Sequence, residues 1–164
     1  MKEIPARGLV TTCLTVKPEW LDYNAHMNVA YYNTAFDVAI EDLKAAYGLT
    51  PAYREAHGRS TVALECHLTY QNEAHLGDAL RIESRILATD GKRTHIAQAM
   101  YREATLLATQ EVMSISFDLA ARRTCPFDPV LLEGIHALQK AQAALPTPGW
   151  IGRRIGLDSP RPRP

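Results

Sequence analysis

Apolar residues at Val29, Tyr32, Phe36, Ile40, Leu43 and Tyr47 recur every three or four positions and line one helix face, with Asn33, Asp37, Glu41 and Lys44 opposite. Asn28 stands at the N-cap position, and Gly48 where a left-handed residue closes a helix. Thr50-Pro51 reads as cap and first turn of a short helix ending near Gly58. Upstream, Val10, Leu14 and Val16 alternate with threonines across Leu9 to Val16, the period of a half-buried strand. Beyond Ser60 the period becomes two: Val62, Leu64, Cys66, Leu68 and Tyr70 alternate with Thr61, Ala63, Glu65, His67 and Thr69. A turn at Gly77-Asp78 precedes a strand from Leu80 to Leu87. Asp90-Gly91 joins that strand to Thr94 to Tyr101, and Glu103-Ala104 turns into a long strand from Leu106 to Leu119.

One strand, one long helix and a run of antiparallel strands make a two-layer α+β domain, because a helix with a continuous apolar stripe must bury it against the sheet. A last helix opens at Asp128-Pro129, with Phe127 and Leu132 placed as a hydrophobic staple and Leu131, Ile135, Leu138 and Leu145 as its stripe. This domain runs over 1–145. Residues 146–164, rich in Pro, Gly and Arg, read as an extended tail in which Trp150 and Ile151 are the residues able to dock, while Arg153, Arg154, Arg161 and Arg163 form a solvated run.

With 164 residues there is room for one well-filled domain and no second. Lys plus Arg number 18 and Asp plus Glu 18, so the net charge of +0 offers no long-range attraction to nucleic acid or an anionic bilayer. No apolar run approaches the roughly 18 residues of a membrane span. The start, Met1-Lys2-Glu3-Ile4-Pro5, lacks the apolar centre of a secretory signal, so a cytoplasmic protein is expected. Cys13, Cys66 and Cys125 form no C-x-x-C pair and read as reduced, half-buried packing residues. The six histidines show no H-E-x-x-H spacing, and no metal is expected. G-x-S-x-G, P-loop and G-x-G-x-x-G motifs are absent.

The segment from Pro18 to Tyr32 carries the chemistry, with Asp22, Asn24, His26 and Asn28 within seven residues just before the long helix. A carboxylate there can curl back towards the helix's unsatisfied N–H groups, whose partial positive charge attracts an oxygen gaining negative charge. A carbonyl held at that point is polarised, and the adjacent carboxylate can attack it or activate water.

With its strand, D-x-x-x-H-M-N-x-x-x-Y segment, long helix and antiparallel strands, the stretch from 9 to 120 resembles the 4-hydroxybenzoyl-CoA thioesterase family of hotdog-fold acyl-CoA thioesterases. The resemblance implies an antiparallel sheet wrapped around one long helix, with a C-terminal helix and tail added here. It also implies homodimers, possible pairing into tetramers, and an active site at the dimer interface. Asp22 matches the family's catalytic aspartate, with His26 and Asn28 in the same motif. The backbone at Val29 and Ala30 matches the helix start that holds the thioester oxygen. Ala25 departs from the glycine common before the histidine position. The role of Asp22, nucleophile or general base, stays open.

Trp20, Tyr23, Tyr31 and Tyr32 flank this site, Tyr32 also lying on the buried helix stripe, and aromatic rings beside a carboxylate suit a quaternary ammonium. Together with Gly91-Lys92-Arg93-Thr94-His95 they resemble the thioesterases associated with L-carnitine dehydrogenase, which implies betainyl-CoA as substrate and a place in carnitine metabolism. Glu65, sharing a strand face with His67, is the further acyl-pocket candidate; a solvated or interfacial ion pair is the competing expectation. Lys92 and Arg93 are the candidates for the coenzyme A phosphates. Coenzyme A enters as part of the substrate and no separate cofactor is expected. A hotdog enoyl-CoA hydratase and a non-catalytic acyl-CoA-binding module are the alternatives. Leu21 and the short spacing to His26 depart from the first, and Asp22 from the second.

Overall fold

The computed structural model describes residues 8–157. Arg161 and Arg163 lie outside the described residues. The elements in chain order are β1 (Val10–Thr15), α1 (Val29–Ala46), α2 (Pro51–His57), β2 (Arg59–Tyr70), β3 (Ala79–Thr89), β4 (Arg93–Arg102), β5 (Thr105–Asp118), β6 (Arg123–Thr124) and α3 (Pro129–Gln142), with a single 3-10 turn at Pro18–Trp20. The strands form one antiparallel sheet in the order β1-β3-β4-β5-β2, and the two-residue β6, which the pattern of residues did not announce, pairs with β5.

The sheet curls around α1, the arrangement the resemblance implied. Polar side chains pin the helix across it. Thr12 Oγ1 donates to Asp42 Oδ2 at 2.6 Å, Gln98 Nε2 to the Phe36 carbonyl at 3.1 Å, and Gln110 Nε2 to Asn33 Oδ1 at 2.9 Å. Tyr32, Phe36, Ile40 and Leu43 are buried as their spacing requires, whereas Val29, first on the same stripe, is 60% exposed because the helix start projects beyond the sheet. The β2 alternation is broken by a bulge between Ala63 and Glu65. One extra residue exchanges the two faces of a strand, so Val62 and Leu64 are left 40% and 55% exposed, while Cys66 and Leu68 face Val112 and Gln110. Cys13 and Cys66 are exposed rather than half-buried, since Cys66 sits on an edge strand.

The core has two parts along α1. Trp20, Met27, Tyr32, Phe36, Ile82 and Met100 fill the end near its start, and Leu43, Tyr47, Ile86, Ile96, Ile135 and Leu138 fill the other, where α3 closes the sheet. Gly134 allows that closure: a Cβ on it would stand 2.3 Å from the Tyr47 carbonyl oxygen. Gly134→Ala gains about 1 kcal/mol of helix propensity, but the overpacking against backbone exceeds this. A net loss of about 1–3 kcal/mol is expected in urea unfolding, and stability equal to the parent's would show that α3 moves aside without penalty. Asp128 precedes α3 as expected but makes no side-chain cap bond, because Tyr53 Oη donates to its carboxylate at 2.8 Å and Arg59 Nε at 3.1 Å. Leu145 lies past the end of α3.

The tail from Pro146 to Leu157 runs over the face of the sheet opposite α1. Arg85 Nη2 donates to the Pro146 carbonyl at 2.9 Å, and the Gly152 N–H to Glu111 Oε2 at 2.8 Å. Trp150 docks there, lining a groove of about 320 Å³ with Arg85 and Tyr101. Among the described residues no helix is long and apolar enough to cross a membrane.

Candidate active site

The residues between Trp20 and Asn28 fold into a narrow hairpin. The Asn28 N–H donates to the Trp20 carbonyl at 2.9 Å, Leu21 bridges Met27, and the Asp22 N–H donates to the His26 carbonyl at 2.9 Å. Its tip is a turn in which the Ala25 N–H reaches the Asp22 carbonyl at 3.1 Å and Ala25 takes φ +62°. That left-handed conformation costs an L-residue about 1–2 kcal/mol and is the reason glycine suits the position. The hairpin fixes Asp22 two residues from the pairing that joins Trp20 to the residue capping α1. Asp22 Oδ1 accepts the Asn24 N–H at 2.8 Å, while Oδ2 has no hydrogen bond among the described residues.

At the helix start, Asn28 caps α1 by accepting the Ala30 N–H on Oδ1 at 3.0 Å. This corrects the expectation for Ala30: its donor is consumed by the cap and cannot also hold a substrate oxygen. The Tyr31 N–H is likewise taken, by the Asn28 carbonyl at 2.9 Å. The Val29 N–H has no acceptor among the described residues, which leaves it as the donor at the positive end of an 18-residue helix.

His26 makes no side-chain hydrogen bond or ion pair with Asp22 among the described residues. Its Nε2 lies 3.3 Å from Glu73 Oε2 and its ring meets His75 edge-on at 5.1 Å. A backbone bridge between His26 and His75 brings these residues together, so His26, Glu73 and His75 place their donor atoms within 4.8 Å of one another. Spacing along the chain did not reveal this group, which has the ligand chemistry for a divalent cation, because 47 positions separate its first two members. Asp78 anchors the same loop, accepting the His75 N–H at 2.8 Å and Arg102 Nη1 at 2.6 Å. Burial would raise the Asp78 carboxyl, but these two donors outweigh it and hold it below the usual carboxylate range. Tyr32 Oη accepts the Ala74 N–H at 3.0 Å, and Tyr70 packs edge-on against Tyr32 with its hydroxyl 3.4 Å from the Val29 carbonyl. Glu73, His75, Arg102 and Tyr70 thus support the loop and helix start, and no local signal marks them.

Of the expected acyl-pocket residues, Trp20 and Tyr31 meet, stacked at 5.7 Å and 13°. Lys17 Nζ lies 5.7 Å from the Trp20 ring, so that face already accepts a cation. Tyr23 is 96% exposed at the hairpin tip and does not join them. Glu65 is opposite Met113 on the sheet face away from α1, so within one chain it is separated from Trp20 and Tyr31 by the sheet itself. No Glu65–His67 ion pair forms among the described residues; His67 stands across from Glu111, which binds His95 Nε2 at 2.6 Å. Arg93 is engaged within its own turn. Its N–H and Nε reach the Asp90 carboxylate at 2.6 and 2.8 Å, and these bonds, with the Lys92 N–H, hold the Asp90 carboxyl down to about 2. Of the two phosphate candidates, Lys92 keeps its side chain out of that turn.

A betainyl-CoA thioesterase of Pseudomonas aeruginosa is 38% identical to this chain over 151 residues, covering 91% of the chain and 95% of that protein. An L-carnitine dehydrogenase/betainyl-CoA thioesterase of Ruegeria pomeroyi is 31% identical over 147 residues, which are 90% of this chain and 30% of that longer protein. A Staphylococcus aureus protein whose structure was solved in complex with CoA has the same fold, with a TM-score of 0.86 at 31% identity over 91% of this chain and 95% of that one. The pattern of the Thioesterase-like superfamily matches residues 16–135, from the end of β1 into α3. The hotdog fold and the chemistry at the start of α1 therefore have one account: the chain belongs to the Thioesterase-like superfamily and is an acyl-CoA thioesterase.

Proposed function

We propose that this thioesterase hydrolyses betainyl-CoA to the free acid and CoA, with Asp22 as nucleophile or general base and the Val29 N–H holding the thioester oxygen. The observation that carries the acyl specificity is the Trp20–Tyr31 stack next to the Asp22 hairpin. A trimethylammonium group placed on these rings gains about 0.5–2 kcal/mol over a neutral group of the same shape. The names of the relatives from Pseudomonas aeruginosa and Ruegeria pomeroyi support the same substrate. The reaction needs only water and the substrate, so no cofactor is invoked. The decisive comparison is betainyl-CoA against 3,3-dimethylbutyryl-CoA, in which carbon replaces the quaternary nitrogen. A preference in kcat/KM of roughly tenfold for the cation, the equivalent of about 1.4 kcal/mol, that Trp20→Leu abolishes is expected. Equal rates on the two thioesters would remove the cationic pocket.

The working unit in this reading is a homodimer. Among the described residues the outer edge of β2 is unpaired, Val62 and Leu64 are exposed on its first half, and Tyr23 and Val29 leave the site open to one side. A second copy pairing along the Val62–Leu64 half of this edge buries those apolar residues and supplies the missing wall, and leaves the His67–Tyr70 half open. Leu64→Asp is expected to shift the mass in light scattering from dimer to monomer and to lower kcat/KM together with it; an unchanged mass would rule out this edge as the interface.

A further inference from the structure

We infer that the C-terminal segment forms the anion-binding groove for the phosphates of the CoA moiety, built from Arg153 and Arg154 against His67, Thr69 and Gln71 of β2. The inference rests on the acyl-CoA thioesterase reading and adds the residues that receive the charged end of the substrate. The groove has a volume of about 490 Å³, and no Asp or Glu is among the described residues that line it. Arg153, Arg154 and His67 line one cavity, and guanidinium geometry suits bidentate contact with phosphate oxygens.

The tail is held where the groove needs it. The Ile151 N–H closes a turn on the Pro148 carbonyl at 3.1 Å, and the Gly152 N–H donates to Glu111 at 2.8 Å. Glu111, across the ladder from His67, is thereby engaged by Gly152 and by His95 and serves as the anchor of the tail. The groove also leads to the reacting end. Tyr70 lines it and places its hydroxyl 3.4 Å from the Val29 carbonyl at the start of α1. From His67 to Tyr70 the strand advances about 10 Å, which an extended pantetheine arm spans. Because this half of β2 lies at the sheet edge, the arm can cross from the outer face to the helix start. The superfamily pattern ends at residue 135, so these arginines lie beyond the region it matches. They take the role that Arg93, held by Asp90, is not placed to fill alone.

The test uses the full chain and its Arg153→Gln/Arg154→Gln double variant, with two readouts. CoA binding is measured by calorimetry against pantetheine, which lacks the nucleotide and its phosphates. Hydrolysis is measured on an acyl-CoA and on the N-acetylcysteamine thioester of the same acyl group. Expected are CoA binding weakened about tenfold, KM for acyl-CoA raised about tenfold with kcat within twofold, and no change with pantetheine or the N-acetylcysteamine thioester. CoA affinity and KM equal to the parent's would overturn the groove while leaving the thioesterase reading intact. An equal loss on the phosphate-free thioester would overturn it as well, by showing a general disturbance of the site. A parent that binds CoA through the arginines but releases no thiol from any acyl-CoA would uphold the groove and refute the hydrolytic reading.

Discussion

Asp22→Asn is expected to lower kcat for acyl-CoA hydrolysis by about 10³-fold, roughly 4 kcal/mol of transition-state stabilisation, with little change in KM. The substitution is conservative for structure and severe for chemistry. Asparagine retains an oxygen that can accept the Asn24 N–H, the bond that Asp22 Oδ1 makes at 2.8 Å, so the hairpin keeps its turn. It loses the anionic oxygen, Oδ2, that is unoccupied among the described residues and that must either add to the thioester carbon or take a proton from water. The two routes separate in a single turnover in ¹⁸O-labelled water. An acyl-enzyme anhydride resolved by attack at the Asp22 carboxyl carbon places label in the protein, whereas general-base hydrolysis places it only in the released acid. A variant that retains the parent rate would remove Asp22 from the reaction.

Val29→Pro is the matching prediction for the oxyanion. Proline at the first helical position deletes one N–H and otherwise suits a helix start. The preceding residue must be extended, and Asn28 already has φ −63° and ψ 144°, so the backbone need not move. Val29 is 60% exposed, so little packing is lost. The Ala30 and Tyr31 N–H groups are consumed by Asn28, which leaves the cap intact. A fall in kcat of about 10²–10³, or 2.7–4 kcal/mol, is expected, with thermal stability near that of the parent. Val29→Ala, which keeps the N–H, should behave as the parent. If proline and alanine variants turn over equally fast, the helix start does not hold the oxygen.

What was legible in the sequence follows from the range of the forces involved. The period of α1, the Asn28 cap, the Thr50-Pro51 start and Gly58 end of α2, and the turns between strands are set by contacts within four or five residues, and all appear where the pattern places them. The bulge in β2 escaped because an alternating sequence carries no mark of the residue at which the partner strand slips by one. The same limit applies at the site. Asp22 and the start of α1 are neighbours in the chain, so their convergence is readable. Whether Ala30 offers its N–H depends on a side-chain rotamer at Asn28, and whether Tyr23 and Glu65 join Trp20 depends on which way a hairpin tip and a sheet face point.

The sequence alone determined the two-layer α+β class, the position of the long helix and the carboxylate at its entrance, because each rests on local periodicity and capping. Only the tertiary structure decided that His26 turns to Glu73 and His75, that Arg93 is tied to Asp90, and that Arg153 and Arg154 return to the edge of β2. Apart from the local Arg93 turn, those outcomes join residues tens of positions apart, and chain closure over such distances is fixed by the packing of the whole sheet and its bound tail rather than by any neighbouring residue.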